Sequence, residues 1–419
     1  MKLIFRIFIC LTLFSGVTFG QSVHRCGTAE KYEELMKNNP AAKQGRQEFY
    51  DRVATWNSAN NSKTTAGTVN TIGVVVHVVY KNTAQNISDN QILAQIDVLN
   101  KDYRRQNTDA SNTPAAFQPV AADCEIEFHL VNKDPSGNPT TGITRTFTNL
   151  VSPGSSDSIY HTALGGEDIW DRSCYLNIWV CQIGNATSVT TLGYTYLPGT
   201  MTPDKDGVVI DFRAFGVGGS AQSPFNIGRT TTHEIGHFFN LLHIWGDAAG
   251  CTANDDSISD TPLQSIDTQG CPAGVVTDMA GCSPSAPGIM YQNYMDYTED
   301  ACMNLFTQGQ KTRMKAALSV APRYTMDTCQ VIGITETSSG KSAEIFPNPT
   351  GGKFTIQNVQ FPVLTLDIYN LLGEKVYSMD GIKQNQSTFT LDLSDQPSGF
   401  YFVKIYSGEK IITRKLVLD

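Results

Sequence analysis

The stretch TTTHEIGHFFNLLHIWGD, Thr230 to Asp247, restricts this chain more than any other. Three histidines and a glutamate sit within eleven residues of an otherwise apolar helix-like run. Such side chains enter a core only if they find partners there. His233 and His237 are four apart, so on a helix they share a face and can offer imidazole nitrogens to one cation. Glu234 lies beside them and is not needed as a ligand. It is free to take the proton of a water held by that cation. This is the H-E-x-x-H zinc pattern. His243 would point away from the pair on an unbroken helix, so it joins them only if the chain turns after the helix. In the extended pattern H-E-x-x-H-x-x-G-x-x-H a glycine makes that turn. Here the position is Asn240, and Asn is the non-glycine residue most tolerant of positive φ. The opposing reading makes these residues satisfied core side chains, which requires a burial partner for each.

A second motif follows about 50 residues on: QNYMDYTEDAC, Gln292 to Cys302. A methionine in a tight turn under the metal is a mark of metzincin proteases, and Met295 is placed to be it. Tyr297, two residues later, has the spacing of the metal-site tyrosine of several such enzymes. Met-x-Tyr alone is a weak signal; after three spaced histidines it is a strong one.

The rest of the chain is consistent with a secreted α/β protein. Met1-Lys2, Arg6 and an apolar run to Phe14 end in small residues at Thr18-Phe19-Gly20, a signal peptide over residues 1–20. No other apolar run is long enough to cross a bilayer. Net charge is −9, so no basic footprint for nucleic acid exists. Residues 21–67 are polar, with little core of their own, and are read as a pro-segment, against the alternative of a flexible arm. TIGVVVHVVY (71–80) reads as a buried strand, with His77 as a core residue. Ser88-Asp89-Asn90-Gln91 caps a helix whose Ile92, Ile96, Leu99 and Tyr103 share a face. EIEFHLV, YLNIWVCQI and GVVIDF read as further strands, His129 being structural, before a helix over Thr231–Trp245. This order is an α/β (α+β) pattern. Residues 246–300 are rich in Gly, Asp, Pro and Cys, so disulfides or a cation must hold them. A helix follows near Gln308–Leu318. A linker spans 331–343, and residues 344–419 read as a small all-β sandwich of short alternating strands. Without the signal, nine cysteines remain, an odd number. Cys26, remote from the others, is the candidate for the unpaired one.

On HEIGHFFNLLHIWGD, CTANDDSISDTP and NYMDYTEDACMNLFTQGQ, the chain over residues 68–330 resembles the pappalysin family of metzincins, especially its bacterial cytophagalysin branch. The stretches FPNP, LLGE and SGFYFVKI make the C-terminal part similar to the cargo signal of the type IX secretion system. The resemblance implies a twisted mixed sheet with an active-site helix, a single catalytic zinc on His233, His237 and His243, and Glu234 as general base. It implies Tyr297 as a hydrogen-bond donor to the reacting oxygen and residues 192–199 as an edge strand for an extended peptide. It further implies a structural calcium, with Asp255, Asp256, Asp260 and Thr261 able to supply oxygens, and the disulfides Cys251–Cys282 and Cys271–Cys302. From spacing alone, four cysteines allow three pairings. Cys124, Cys174, Cys181 and Cys329 stay unassigned. Cys26 would hold the zinc in a zymogen. Some relatives take Arg or Lys after the scissile bond using an acid near the Met-turn; Glu299 and Asp300 are nearby. The partners are then protein or peptide substrates and the secretion machinery. The rival function is a non-catalytic, zinc-containing surface-binding or adhesion protein. Structural zinc has four protein ligands, whereas only three histidines remain once Cys26 is removed. The rival for the C-terminal part is a binding module that stays attached.

Overall fold

The structure, a computed structural model, describes residues 24–60, 67–184, 191–246, 251, 256–278, 280–327, 344–357, 365–370, 374–380, 388–407 and 410–418. The signal peptide, the 331–343 linker, Asp255 and Cys329 lie outside them. The chain divides into two units, Met1–Gln330 and Val331–Asp419.

The first unit is built on a mixed sheet. Its spine is β2 (Asn70–Tyr80), the β-branched run whose side chains are buried on both faces. One edge of β2 pairs in parallel with β3 (Ile126–Leu130) along its first half and with β4 (Ile143–Phe147) along its second; the other edge takes β5 (Leu176–Cys181). Next comes β7 (Val208–Asp211), parallel to β5, then β6 (Thr191–Thr195), antiparallel to β7. Beyond β6 lies β1 (His24–Cys26), which runs parallel to it, with Cys26 opposite Gly193. β1 and β4 were not foreseen from periodicity: one is three residues long, the other half-exposed.

Helix α3 (Asp89–Tyr103) starts where the Ser88 side chain accepts the Gln91 N–H. Its Ile92, Ile96, Leu99 and Tyr103 pack with Ile235, Phe238 and Phe239 of α4 (Arg229–Phe238) and the following residue, over one face of the sheet. The opposite face buries Tyr160, Trp179, Tyr194 and Tyr196. His77 is a satisfied core residue between Thr144 (2.8 Å) and Asn177 (2.9 Å).

The helix expected over Thr231–Trp245 is shorter and ends at Phe238. Asn240 adopts φ 77°. The Asn240 N–H reaches the His237 carbonyl at 2.8 Å and the Leu241 N–H reaches the Gly236 carbonyl at 2.9 Å, closing the last turn. The apolar character continues past the turn because Leu241, Ile244 and Trp245 also enter the core, which is why the run looked like unbroken helix.

Residues 24–60 are not a bare arm. Helices α1 (Thr28–Asn38) and α2 (Pro40–Asn60) follow β1, and Phe49 is fully buried with Ala317 and Val320. Gly45 lies so close to Gly199 that a Cβ there would come 2.3 Å from the Gly199 carbonyl oxygen. α5 (Gln308–Leu318) opens with a capping box between Thr307 and Gln310. The irregular region is stapled by Cys251–Cys282 and Cys271–Cys302. Cys26, Cys124 and Cys181 are free and buried, and Cys174 is disulfide-bonded. Among the described residues Cys124 and Cys181 stay free beside Cys26 and serve as small apolar side chains of the two cores.

The second unit has two antiparallel sheets. One contains β8 (Glu344–Phe346), β9 (Lys353–Gln357) and β12 (Phe389–Asp392); the other contains β10 (Thr365–Asn370), β11 (Lys375–Asp380), β13 (Gly399–Ser407) and β14 (Lys410–Leu418). Their inward residues, among them Phe354, Ile368, Leu391, Val403 and Leu416, form one core, a small β-sandwich.

Candidate metal centre

α4 brings His233 and His237 onto one face, and the turn at Asn240 returns His243 to them. The three Nε2 atoms stand 3.0–3.2 Å apart. Their tautomers follow from their other ring nitrogens. His233 Nδ1 lies 2.6 Å from the Tyr294 carbonyl and His237 Nδ1 lies 2.8 Å from the Leu241 carbonyl. A carbonyl only accepts, so both Nδ1 atoms carry the proton and both Nε2 atoms present lone pairs. Two lone pairs 3.1 Å apart repel unless a cation lies between them. Burial, then the neighbouring imidazoles, hold His233 well below the usual histidine range, in the neutral form a metal takes. A zinc ion with Zn–N bonds of roughly 2.0–2.1 Å fits the point on which the three nitrogens converge.

The floor under this point is the Met-turn. A Cβ at Gly236 would lie 2.5 Å from the Met295 sulfur, so the helix can rest on this methionine only because residue 236 is glycine. The carbonyl of Tyr294 fixes His233. Tyr294 O–H and Thr232 O–H both donate to Asp102 at the end of α3, at 3.0 and 2.8 Å, joining three elements behind the site. Trp245 stacks on His243 at 4.4 Å, and Tyr297 sits edge-on to both.

Glu234 is wholly buried beside β6, where a Cβ on Gly193 would press against its side chain at 2.9 Å. Burial, partly offset by hydrogen bonds from Cys26 and Thr28, pushes its carboxyl up to about 7. Thr28 O–H donates to Oε2 at 3.0 Å, and Oε1 is buried.

The N-terminal segment crosses the site. The Cys26 sulfur and the three imidazoles form one cluster, with all four ligand atoms within 4.8 Å of one another. Burial first, then the Glu234 charge, pushes the Cys26 thiol up, so a thiolate there needs a cation beside it. Tyr297 O–H donates to the Cys26 carbonyl at 3.3 Å. Arg25, not singled out from the sequence, enters a buried pocket. Its guanidinium lies 2.8 Å from Asp300 Oδ1, donates to the Thr298 carbonyl and covers the Phe225 ring. Asp300 Oδ2 accepts the Ile227 and Arg229 N–H groups at the start of α4. The only sequence signal for this pair was Arg25 adjoining Cys26 and Asp300 lying near the Met-turn. Among the described residues Glu299 carries no such contact.

Of the oxygens proposed for calcium, those of Asp256 and Thr261 meet at 2.9 Å, and the described carboxylates are engaged by donors of the protein itself. Asp256 accepts from Thr261 and the Ile258 N–H, and Asp260 accepts from Thr307 and the Gly309 N–H.

Residues 162–319 match the family described as pregnancy-associated plasma protein-A, and residues 344–419 match a secretion system C-terminal sorting domain. An extracellular metalloprotease of Arthroderma gypseum is 32% identical over 252 residues, covering 58% of this chain and 71% of the relative. Another from Pyricularia oryzae is 30% identical over 70% of this chain and 87% of its own length. Among solved structures, a promirolysin variant from Tannerella forsythia is 43% identical, covers 73% of this chain and 97% of that one, and superposes with TM-score 0.65. Mature mirolysin in complex with a cleaved peptide is 47% identical over 64% of this chain and 97% of its own, with TM-score 0.58.

Proposed function

The chain belongs to the pappalysin family of metzincin metalloproteases, and from that premise we propose that it is a zinc endopeptidase made as a precursor blocked by its own N-terminal segment. It is secreted or displayed at the cell surface: its relatives are extracellular and its tail matches a sorting domain. Among the described residues no helix is long and apolar enough to cross a membrane.

His233, His237 and His243 would hold the zinc. When bound, zinc supplies Lewis acidity that activates a water and polarises the scissile carbonyl. Glu234 takes the water proton and hands it to the leaving amine; a carboxyl raised toward neutrality suits both directions of transfer. Tyr297, whose hydroxyl is bonded to the Cys26 carbonyl while the segment is in place, then donates to the oxyanion. Asp300 receives an Arg or Lys of the substrate, the role its contact with Arg25 suggests. The domain reading stays as 21–67 removed, 68–330 catalytic and 344–419 sorting. The mirolysin structures, titled as pro and mature forms, support such processing.

The observation that carries this reading is the convergence of three Nε2 atoms, two of them fixed as lone-pair donors, beside a buried carboxylate. Glu234→Gln is expected to keep one zinc per chain and lose about 10²–10⁴-fold in kcat/KM on a peptide substrate. Near-normal cleavage by a zinc-loaded variant would overturn the general-base role. If neither protein cleaves peptides, the adhesion alternative stands. Calcium near Asp256, Asp260 and Thr261 belongs to the same reading. Adding calcium to chelator-treated protein should raise its thermal midpoint, and an unchanged midpoint removes the ion.

A further inference from the structure

The N-terminal segment carries a cation on each side of Cys26 in the chain, Arg25 before it and Lys31 after it. On one side Arg25 meets Asp300. On the other, the Lys31 ammonium of α1 lies 4.2 Å from the Tyr194 ring centroid and 5.6 Å from that of Tyr196. These rings stand edge to face, 6.2 Å apart. They are held firmly. Tyr194 O–H donates to the Gly154 carbonyl at 2.9 Å, and both rings belong to the buried cluster with Tyr160 and Trp179. Gly193 faces Glu234, so the next side chain along β6, Tyr194, points to the opposite face of the strand. A cavity of about 410 Å³, lined by Gly154, Ile183, Thr191 and Tyr194 with Gly27 and Lys31 of the segment, opens beside the Tyr194 ring. Burial lowers the Lys31 ammonium from its usual range; Asp157, which acts against that shift, is paired to Lys205 at 2.5 Å and stays with the catalytic part.

We propose that in the processed enzyme the Tyr194–Tyr196 face is a subsite for a lysine or arginine side chain of the substrate, on the opposite side of the cleaved bond from the residue taken by Asp300. This rests on the reading of the chain as a peptidase whose N-terminal segment is removed. Two aromatic faces attract an ammonium through their quadrupoles while accepting its aliphatic stem. In the precursor, Lys31 holds that place as Arg25 holds the Asp300 pocket. The enzyme then favours chains carrying basic residues on both sides of the bond it cuts.

The test uses processed enzyme prepared from the full-length precursor and a set of quenched-fluorescence peptides. All carry one Arg just after the intended bond. A single Lys is scanned across the four positions before it, each paired with a norleucine control. At one position, Lys is expected to exceed norleucine in kcat/KM by about 3- to 20-fold. Tyr196→Leu should lower that ratio, the pair Tyr194→Leu and Tyr196→Leu together should bring it close to one, and Tyr196→Phe, which keeps the ring, should preserve it. Equal rates for Lys and norleucine at every position overturn the subsite, as does a ratio that survives the double substitution. Cleavage of the norleucine controls before Arg keeps the peptidase reading intact when the subsite fails.

Discussion

The floor of the metal centre and the segment lying across it hold their groups in different ways. On the floor, every histidine is set by something that cannot leave: a helical spacing, a turn at Asn240, and backbone carbonyls at Tyr294 and Leu241 that fix two tautomers. The segment instead reaches the site through contacts between groups far apart in sequence. These are one short parallel strand pairing, the Arg25–Asp300 ion pair, the Thr28 hydroxyl on Glu234 and the close approach of Gly45 to Gly199. The first arrangement is a site built to last. In the proposed precursor the second would block it with contacts a substrate could replace.

The sharpest way to break that contrast is at Asp300, where floor and segment meet. Asp300→Asn keeps the shape and removes the charge. In the processed enzyme it should cut kcat/KM for an Arg-containing peptide about 10²-fold relative to a neutral analogue. An unchanged preference would reduce Asp300 to a support for the start of α4. A smaller effect is expected at Cys26. Cys26→Ala should raise the activity of freshly made precursor on a short peptide by about tenfold, the scale of one strong contact, yet leave it below the processed enzyme, because Arg25 and α2 still dock. A precursor as silent as wild type would mean the thiol contributes nothing to the block. The smallest effect tests the floor alone. Asn240→Val forces a β-branched residue to positive φ and should cost ~1–2 kcal/mol in chemical denaturation of the zinc-loaded protein, whereas Asn240→Gly should cost much less. Equal losses would show that the Asn side chain, not the backbone, matters there.

Much of the floor was readable because its information is local. A spacing of four places two imidazoles on one face, and a residue tolerant of positive φ allows the reversal that brings His243 back. The helix end was misread because apolar burial continues through Leu241, Ile244 and Trp245 after the hydrogen-bond ladder stops. Periodicity reports burial, and burial does not end where a helix ends. β1 escaped notice for a different reason. Three residues carry no pattern, and its partner β6 lies more than 160 positions away. The need for glycine at 236 is equally non-local, since the Met295 sulfur that a Cβ there would meet comes from a distant segment.

By itself the sequence determined the metal-binding spacing, the general-base candidate, the turn residue and the separation of a sandwich from an α/β unit, since each depends on neighbours within a few turns of chain. Only the tertiary structure decided that Arg25 meets Asp300 across 275 positions, that Thr28 reaches Glu234 and that Lys31 covers two tyrosines. Such pairs depend on how packed elements bring distant backbones together, and no local pattern of residues encodes that.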